Sequence, residues 1–304
     1  MLQNLDNIPS GTDAFFWSDF AELKAATHPD NCFSRGDLAG IAGRNRTRES
    51  TVNTEEQWRS LIDFCNTRRH VFGSFYPFTV SDDKDTLTLE SPQTPGQRLY
   101  LSLLIAASMR HIPNTRKGDI ARAFEETCFS VFSSLMPVGS TIHATWASGG
   151  PEAPYTGHLY EKMIQIARDI RGNPDISPED FKERNTGDGG IDLIAWHPMA
   201  DERPGIPISF AQCGCSRDDW TFKQAEASPF QHRNHFRVMH EWATYYFMPI
   251  DLREFDGRWA YKSKIASVII VDRLRLLRLA EQYGLYGELP EFPFVDEVLS
   301  MEEL

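Results

Sequence analysis

A chain of 304 residues, 41% hydrophobic and 12% aromatic, carries enough apolar surface for one large domain or two ordinary ones. Its formal net charge of −12 argues against a free-standing, high-affinity nucleic-acid binder, because phosphate attraction needs a positive surface. A locally basic groove, or a partner that presents the substrate, would still permit such a role. Five cysteines (Cys32, Cys65, Cys128, Cys213, Cys215), an odd number, fit reduced thiols and exclude a disulfide framework.

The start, Met1-Leu2-Gln3-Asn4-Leu5-Asp6, lacks the basic and apolar regions of a secretory leader. The longest apolar candidate, around Leu101–Ala107, is shorter than the roughly 18 residues a membrane span needs. The expectation is a soluble, cytoplasmic protein with no membrane partner.

Taken in chain order, residues 1–50 read as irregular, with aromatic clusters (Phe15-Phe16-Trp17, Phe20) and a basic run from Arg35 through Arg44, Arg46 and Arg48. That run is read as a solvated face before a phosphate contact. Thr54-Glu55-Glu56-Gln57 opens a capped helix, with Trp58, Leu61, Ile62 and Cys65 at helical spacing. Val71–Val80 and Thr86–Leu89 read as short strands, and Leu99–Met109 as a buried helix.

Composition changes near Pro113-Asn114-Thr115, which suggests an N-terminal accessory region, 1–115, and a second domain, 116–304. A helix is predicted over Asp119–Leu135, with Ile120, Phe124, Cys128 and Phe132 on one stripe. A strand over Thr141–Ala147, a Pro/Gly-rich loop over Gly149–Tyr155 and an amphipathic helix over His158–Ile170 follow. Strands over Ile191–Trp196 and Ile208–Cys213 come next. Then come a helix over Phe236–Tyr246, a buried strand over Ala266–Val271 and a last helix over Leu274–Gln282. The predicted class is α/β (α+β), a mixed central sheet flanked by helices.

The most informative stretch is Gly187-Asp188-Gly189-Gly190-Ile191-Asp192, followed by the strand that carries Gln212 in an apolar run. A glycine-rich turn delivers Asp192 to a strand start, where a carboxylate is costly to bury without a partner or a metal. Asp188 reads as turn chemistry in an Asp-Gly bend. Two adjacent strands, each offering one oxygen ligand on a shared face, suit a hard divalent cation. Strand alternation puts Gln212 and Gly214 on one face and Cys213 and Cys215 on the other, where the cysteines read as small buried hydrophobes. A zinc site from Cys213, Cys215, His232, His235 and His240 is a weaker reading, because Cys-x-Cys is not the usual structural-zinc spacing.

Phe124-Glu125 on a helix, Gly187-Asp188-Gly189-Gly190-Ile191-Asp192 opening a strand and Ala211-Gln212-Cys213 on the next resemble the PD-(D/E)xK restriction-endonuclease-like superfamily, its Mrr-like branch most closely. The resemblance covers roughly residues 117–225. It implies a restriction-endonuclease-like core and metal-dependent cleavage of DNA with Mg²⁺ or Mn²⁺. Asp192 would be the principal metal ligand, Glu125 the helix acid (with Glu126 or Glu161 as substitutes) and Gln212 the second-strand ligand. The chain departs from the pattern at Gly214, where the family's lysine belongs. Lys223, or less directly Arg217, would then supply the cation. The basic stretches Gln231–Arg237 and Arg273/Arg275/Arg278 are candidate groove linings.

The resemblance further implies a role in bacterial anti-phage defence. The acidic charge leads to the expectation of a protein partner, such as an ATP-driven translocase or sensor, that presents DNA or licenses cutting, and a homo-oligomer is a further expectation. The alternative is a catalytically inactive nuclease-fold protein acting as a binding or assembly subunit. A hydrolase with a cysteine nucleophile is a third and weaker expectation.

Overall fold

The computed structural model describes residues 2–44, 53–145, 153–182 and 186–301. Arg46, Arg48 and most of the Gly149–Tyr155 loop lie outside them. In chain order the helices are α1 Ala14–Thr27, α2 Arg35–Arg44, α3 Thr54–Phe72, α4 Pro95–Ala107, α5 Asn114–Leu135, α6 Leu159–Asp169, α7 Trp220–Lys223, α8 Pro229–Phe236, α9 Arg273–Gln282 and α10 Pro293–Leu299. The strands are β1 Cys32–Ser34, β2 Phe78–Val80, β3 Thr86–Leu89, β4 Thr141–Ala144, β5 Leu193–Trp196, β6 Ile208–Cys213, β7 Ala243–Phe247 and β8 Ile269–Val271. The class is mixed α and β, as expected. No helix among the described residues is long and apolar enough to cross a membrane.

The chain forms two compact units. One comprises Met1–Phe124, Pro249–Ala260 and Asp272–Leu304; the other comprises Glu125–Met248 and Tyr261–Val271. The linear division at 115/116 therefore differs from the spatial one, because two later segments fold with the N-terminal part.

In the first unit, β1, β3 and β2 form a three-stranded antiparallel sheet. Helix α3 starts where the Asn53 side chain accepts the Glu56 N–H, and α4 starts with a Thr94/Gln97 capping box. Helix α1 replaces the predicted irregular segment. It is buried almost throughout and includes Asp19 and Glu22. These acids are held by a closed network. The Arg68 Nη1–H groups donate to Asp19 Oδ1 (2.7 Å) and Glu22 Oε1 (2.8 Å), and Arg68 Nε donates to Asp251 Oδ2 (3.2 Å). Arg273 donates to both Asp19 oxygens at 2.9 Å, and the Tyr76 and Tyr100 hydroxyls donate to Glu22. Arg273 is thus a core residue of this unit and not a groove lining. The guanidinium of Arg275 lies over Trp259, and Arg278 donates to the Val71 carbonyl. The predicted 71–80 strand also contracts: α3 continues to Phe72 and only Phe78–Val80 pairs in the sheet.

The second unit is a five-stranded mixed sheet in the order β4-β5-β6-β7-β8. The β4–β5 and β5–β6 pairs are antiparallel; β6–β7 and β7–β8 are parallel. The predicted helix over 236–246 is instead the end of α8, a turn and strand β7. Arg237 takes a left-handed φ of 32° that terminates α8, and Thr244-Tyr245-Tyr246-Phe247 suits a buried strand. On one face of the sheet, Phe132 of α5 packs edge-on against Tyr245 and Phe247. On the other, α6 and α8 cover Ile194, Ile208 and Phe210 with Met163, Ile166 and Phe236.

Candidate metal-dependent active site

Asp192 sits one residue before β5. The register Leu193↔Ala211 sets it opposite Gln212, so the two side chains share the face that carries Ile194 and Phe210. Its backbone is fixed on both sides: the Asp192 N–H donates to the Ala211 carbonyl, and its own carbonyl accepts from Thr145 N, both at 2.9 Å. Its carboxylate Oδ2 accepts the Cys213 N–H at 2.6 Å. The preceding turn needs glycine twice. Gly189 and Gly190 have φ of +71° and +80°, and a Cβ at Gly190 would lie 2.6 Å from the Glu226 Cβ. Asp188 closes this turn by accepting the Gly190 N–H at 2.8 Å, as its Asp-Gly context predicts.

A cavity of about 840 Å³ opens at this strand end, and all four sequence-predicted residues, Glu125, Asp192, Gln212 and Lys223, line it. Glu125 comes from α5 and Lys223 from the last position of α7, each half-buried. Asp188, Glu226, His232 and His235 join them. Of the alternatives, Glu161 is exposed and caps α6 through the His158 N–H, Glu126 is exposed, and neither they nor Arg217 line the cavity.

The electrostatics are those of a crowded acidic site. Burial pushes the Asp192 carboxyl well above the usual range; the charges of Asp188 and Glu125 add to this, and the Cys213 N–H opposes it. Burial also raises Glu226, against the pull of the Lys223 ammonium. Lys223 is the sole lysine or arginine lining the cavity among the described residues. Gln212 is 7% exposed, and its Oε1 accepts no hydrogen bond among the described residues. A buried acceptor without a donor is costly. Together with mutually repelling carboxylates, it is the donor chemistry that a hard divalent cation satisfies. Among the described residues no group of three or more His, Cys, Asp or Glu side chains forms a ready-made metal cluster. The fit therefore rests on two carboxylates and the Gln212 amide oxygen.

The Gly214 position is occupied from the neighbouring strand. A Cβ at 214 would lie 2.3 Å from Tyr246 Oη and 3.0 Å from its Cζ, so no side chain starts there without moving that ring. The thiols near this strand end are held in their neutral form, which disfavours the thiolate a nucleophile needs. Burial pushes the Cys213, Cys215 and Cys128 thiols upward, and Cys213 and Cys128 interact with each other.

Sequence reasoning named the 231–237 stretch as a groove lining but missed how it is used. His232 and His235, three residues apart on α8, meet through their Nδ1 atoms at 2.8 Å, and His232 Nε2 donates to the Glu226 carbonyl at 2.9 Å. The i,i+3 histidine spacing was the available signal. Arg233 and Arg237 turn elsewhere, over the Phe230 ring and to Asp175. Comparisons with protein-family models, curated proteins and solved structures returned no match.

Proposed function

We propose that the chain is a metal-dependent nuclease of the PD-(D/E)xK type acting on DNA, in a cytoplasmic anti-phage role and under the control of a protein partner that presents the substrate. The observation that carries this reading is convergence. Residues 125, 192, 212 and 223, drawn from α5, the β5 start, β6 and α7, line one cavity, with an unsatisfied amide oxygen opposite the buried Asp192 carboxylate. Asp192, Glu125 and Gln212 would hold Mg²⁺ or Mn²⁺, which when bound supplies Lewis acidity toward a phosphate oxygen and a water. The Cys213 N–H fixes the Asp192 carboxylate in one orientation. Lys223 offers its ammonium to the phosphate, the role the strand lysine has elsewhere in the family. The net charge of −12 favours delivery of DNA by a partner, such as an ATP-driven translocase or sensor, over capture from solution.

The test is plasmid cleavage with Mg²⁺ or Mn²⁺, alone and with the product of a neighbouring gene, comparing wild type with Asp192→Asn. Cleavage by wild type that the substitution abolishes is expected. In parallel, millimolar Mn²⁺ should raise the Tm of wild type and leave Asp192→Asn unmoved. Absence of cleavage under every condition removes the nuclease reading. A Tm response without cleavage would favour the second reading, a non-catalytic binding or assembly subunit, to which the Tyr246 ring over Gly214 lends support.

A further inference from the structure

A hydrogen-bonded pair of histidines on α8, His232 and His235, lines the cavity. The Glu226 carbonyl can only accept, so His232 Nε2 carries the hydrogen of their 2.9 Å contact. His232 is 3% exposed, and burial, followed by the neighbouring His235, pushes its imidazole down to about 4, so the ring is neutral at pH 7. Its Nδ1 is therefore a lone pair, and the 2.8 Å contact between the two Nδ1 atoms requires His235 Nδ1 to be the donor. The Glu226 contact thus sets the His232 tautomer, and His232 in turn that of His235. The Nε2 of His235 is left unprotonated and without a hydrogen bond among the described residues, on a ring that lines the cavity shared with Asp192. Phe181 flanks that ring at 5.4 Å between centroids, and His232 at 5.0 Å. Burial pushes the His235 imidazole below its ordinary range; Asp180, which opposes that shift, and His232 are the charged and titratable groups facing it.

We propose that His235 Nε2 is the proton acceptor for the water that attacks the phosphodiester, with His232 as the positioning residue that holds its tautomer. The proposal rests on the nuclease reading of this cavity. The water oxygen forms a bond to phosphorus while its proton passes to His235 Nε2, giving an imidazolium. The bond from phosphorus to the departing sugar oxygen breaks, that oxygen keeps the electron pair and takes a proton from solvent water, and the imidazolium returns its proton to solvent. One water is consumed per bond cleaved.

The experiment compares cleavage rates from pH 5 to 8 at saturating Mg²⁺ for wild type, His235→Gln, His232→Phe and Asp192→Asn, with ¹⁵N NMR of the histidine rings in the full chain. The expected wild-type profile falls on the acid side. His235→Gln should lower the rate about 100-fold or more and remove the histidine part of that limb, leaving only the carboxylate part. His232→Phe should shift the limb without abolishing cleavage. The NMR expectation at pH 7 is Nδ1–H with bare Nε2 for His235 and Nε2–H for His232. A wild-type rate or an unchanged limb in His235→Gln, or Nε2–H on His235, overturns the proposal and leaves the nuclease reading standing. Wild type that cleaves under no condition overturns both.

Discussion

Gly214 shows how a single residue departs from a family pattern for a steric reason. Tyr246 pairs with Gln212 across the parallel β6–β7 ladder and leans over the neighbouring glycine, so its hydroxyl stands 2.3 Å from where a Cβ would be. That hydroxyl is fully buried and has no hydrogen-bond partner among the described residues. Gly214→Ala should therefore destabilise the fold by about 2 kcal/mol through overpacking, and Gly214→Lys should not restore a family-like site. Tyr246→Phe alone should be neutral or mildly stabilising, since it deletes a buried, unsatisfied polar group. Combined with Gly214→Ala, it should recover part of the loss. Urea denaturation of the four proteins measures this; additive single effects would show that the ring and the glycine are not coupled. The same scale explains what was legible. Asp192 was readable because a charge inside an apolar strand start demands a reason. Tyr246 and Glu226 were not, because each owes its place at the strand end to a different segment, and His235 was named without the contact to His232 that orients it.

At the scale of elements, β5, β6, α4 and the stripe on α5 were readable because one face is apolar and the other is not, or because the run is uniformly apolar and short. Helix α1 was missed for the opposite reason. Buried nearly all round, with Asp19 and Glu22 neutralised by arginines distant in sequence, it shows no polar face to set its period. Helix α8 was half-read, since its boundary depends on the left-handed Arg237. That helix carries an acid-sensitive dock. The folded value of about 4 for His232 lies below the ordinary histidine value of 6.5, so the unfolded chain takes up the proton first as pH falls. Its contribution is complete above about 6.5 and is lost on descent toward 4, on the order of 2 kcal/mol by pH 4.5. Asp251, pushed up to about 6 by burial, has the opposite sign, its contribution being lost as pH rises through that value. The His232 component is isolated by difference. His232→Phe, whose ring can keep the stack on Phe236, should lose less stability than wild type between pH 7 and 4.5 in chemical denaturation. Equal losses would refute the dock.

For the whole molecule, the chain leaves the first unit at 124/125, returns at 248/249, leaves again at 260/261 and returns at 271/272. A reading that follows sequence order cannot see this, because the signal is a set of ion pairs between residues up to 254 positions apart. Arg68 and Arg273 are 1% and 0% exposed at the side chain, and their acids Asp19, Glu22 and Asp251 come from two segments of the chain, the first two from α1. Removing one side of such a network strands charges without partners, at roughly 3–5 kcal/mol each. Expression of residues 116–304 alone would do this twice, parting Arg273 from Asp19 and Asp251 from Arg68. Helices α9 and α10 would also lose α4, and α10 would lose α1. The expected result is a fragment without a single cooperative thermal transition, whereas the full chain unfolds cooperatively. Charge removal in the intact protein separates the network from the packing. Asp19→Asn leaves two arginines facing one fewer carboxylate and should lower the Tm markedly. Asp251→Asn should cost less, because burial pushes that carboxyl up to about 6, so its charged form is less favoured in the fold, and its Oδ1 accepts no hydrogen bond among the described residues. A 116–304 fragment that melts cooperatively would show that the later segments do not depend on the N-terminal acids, and an Asp251→Asn loss as large as that of Asp19→Asn would refute the ranking of the two carboxylates.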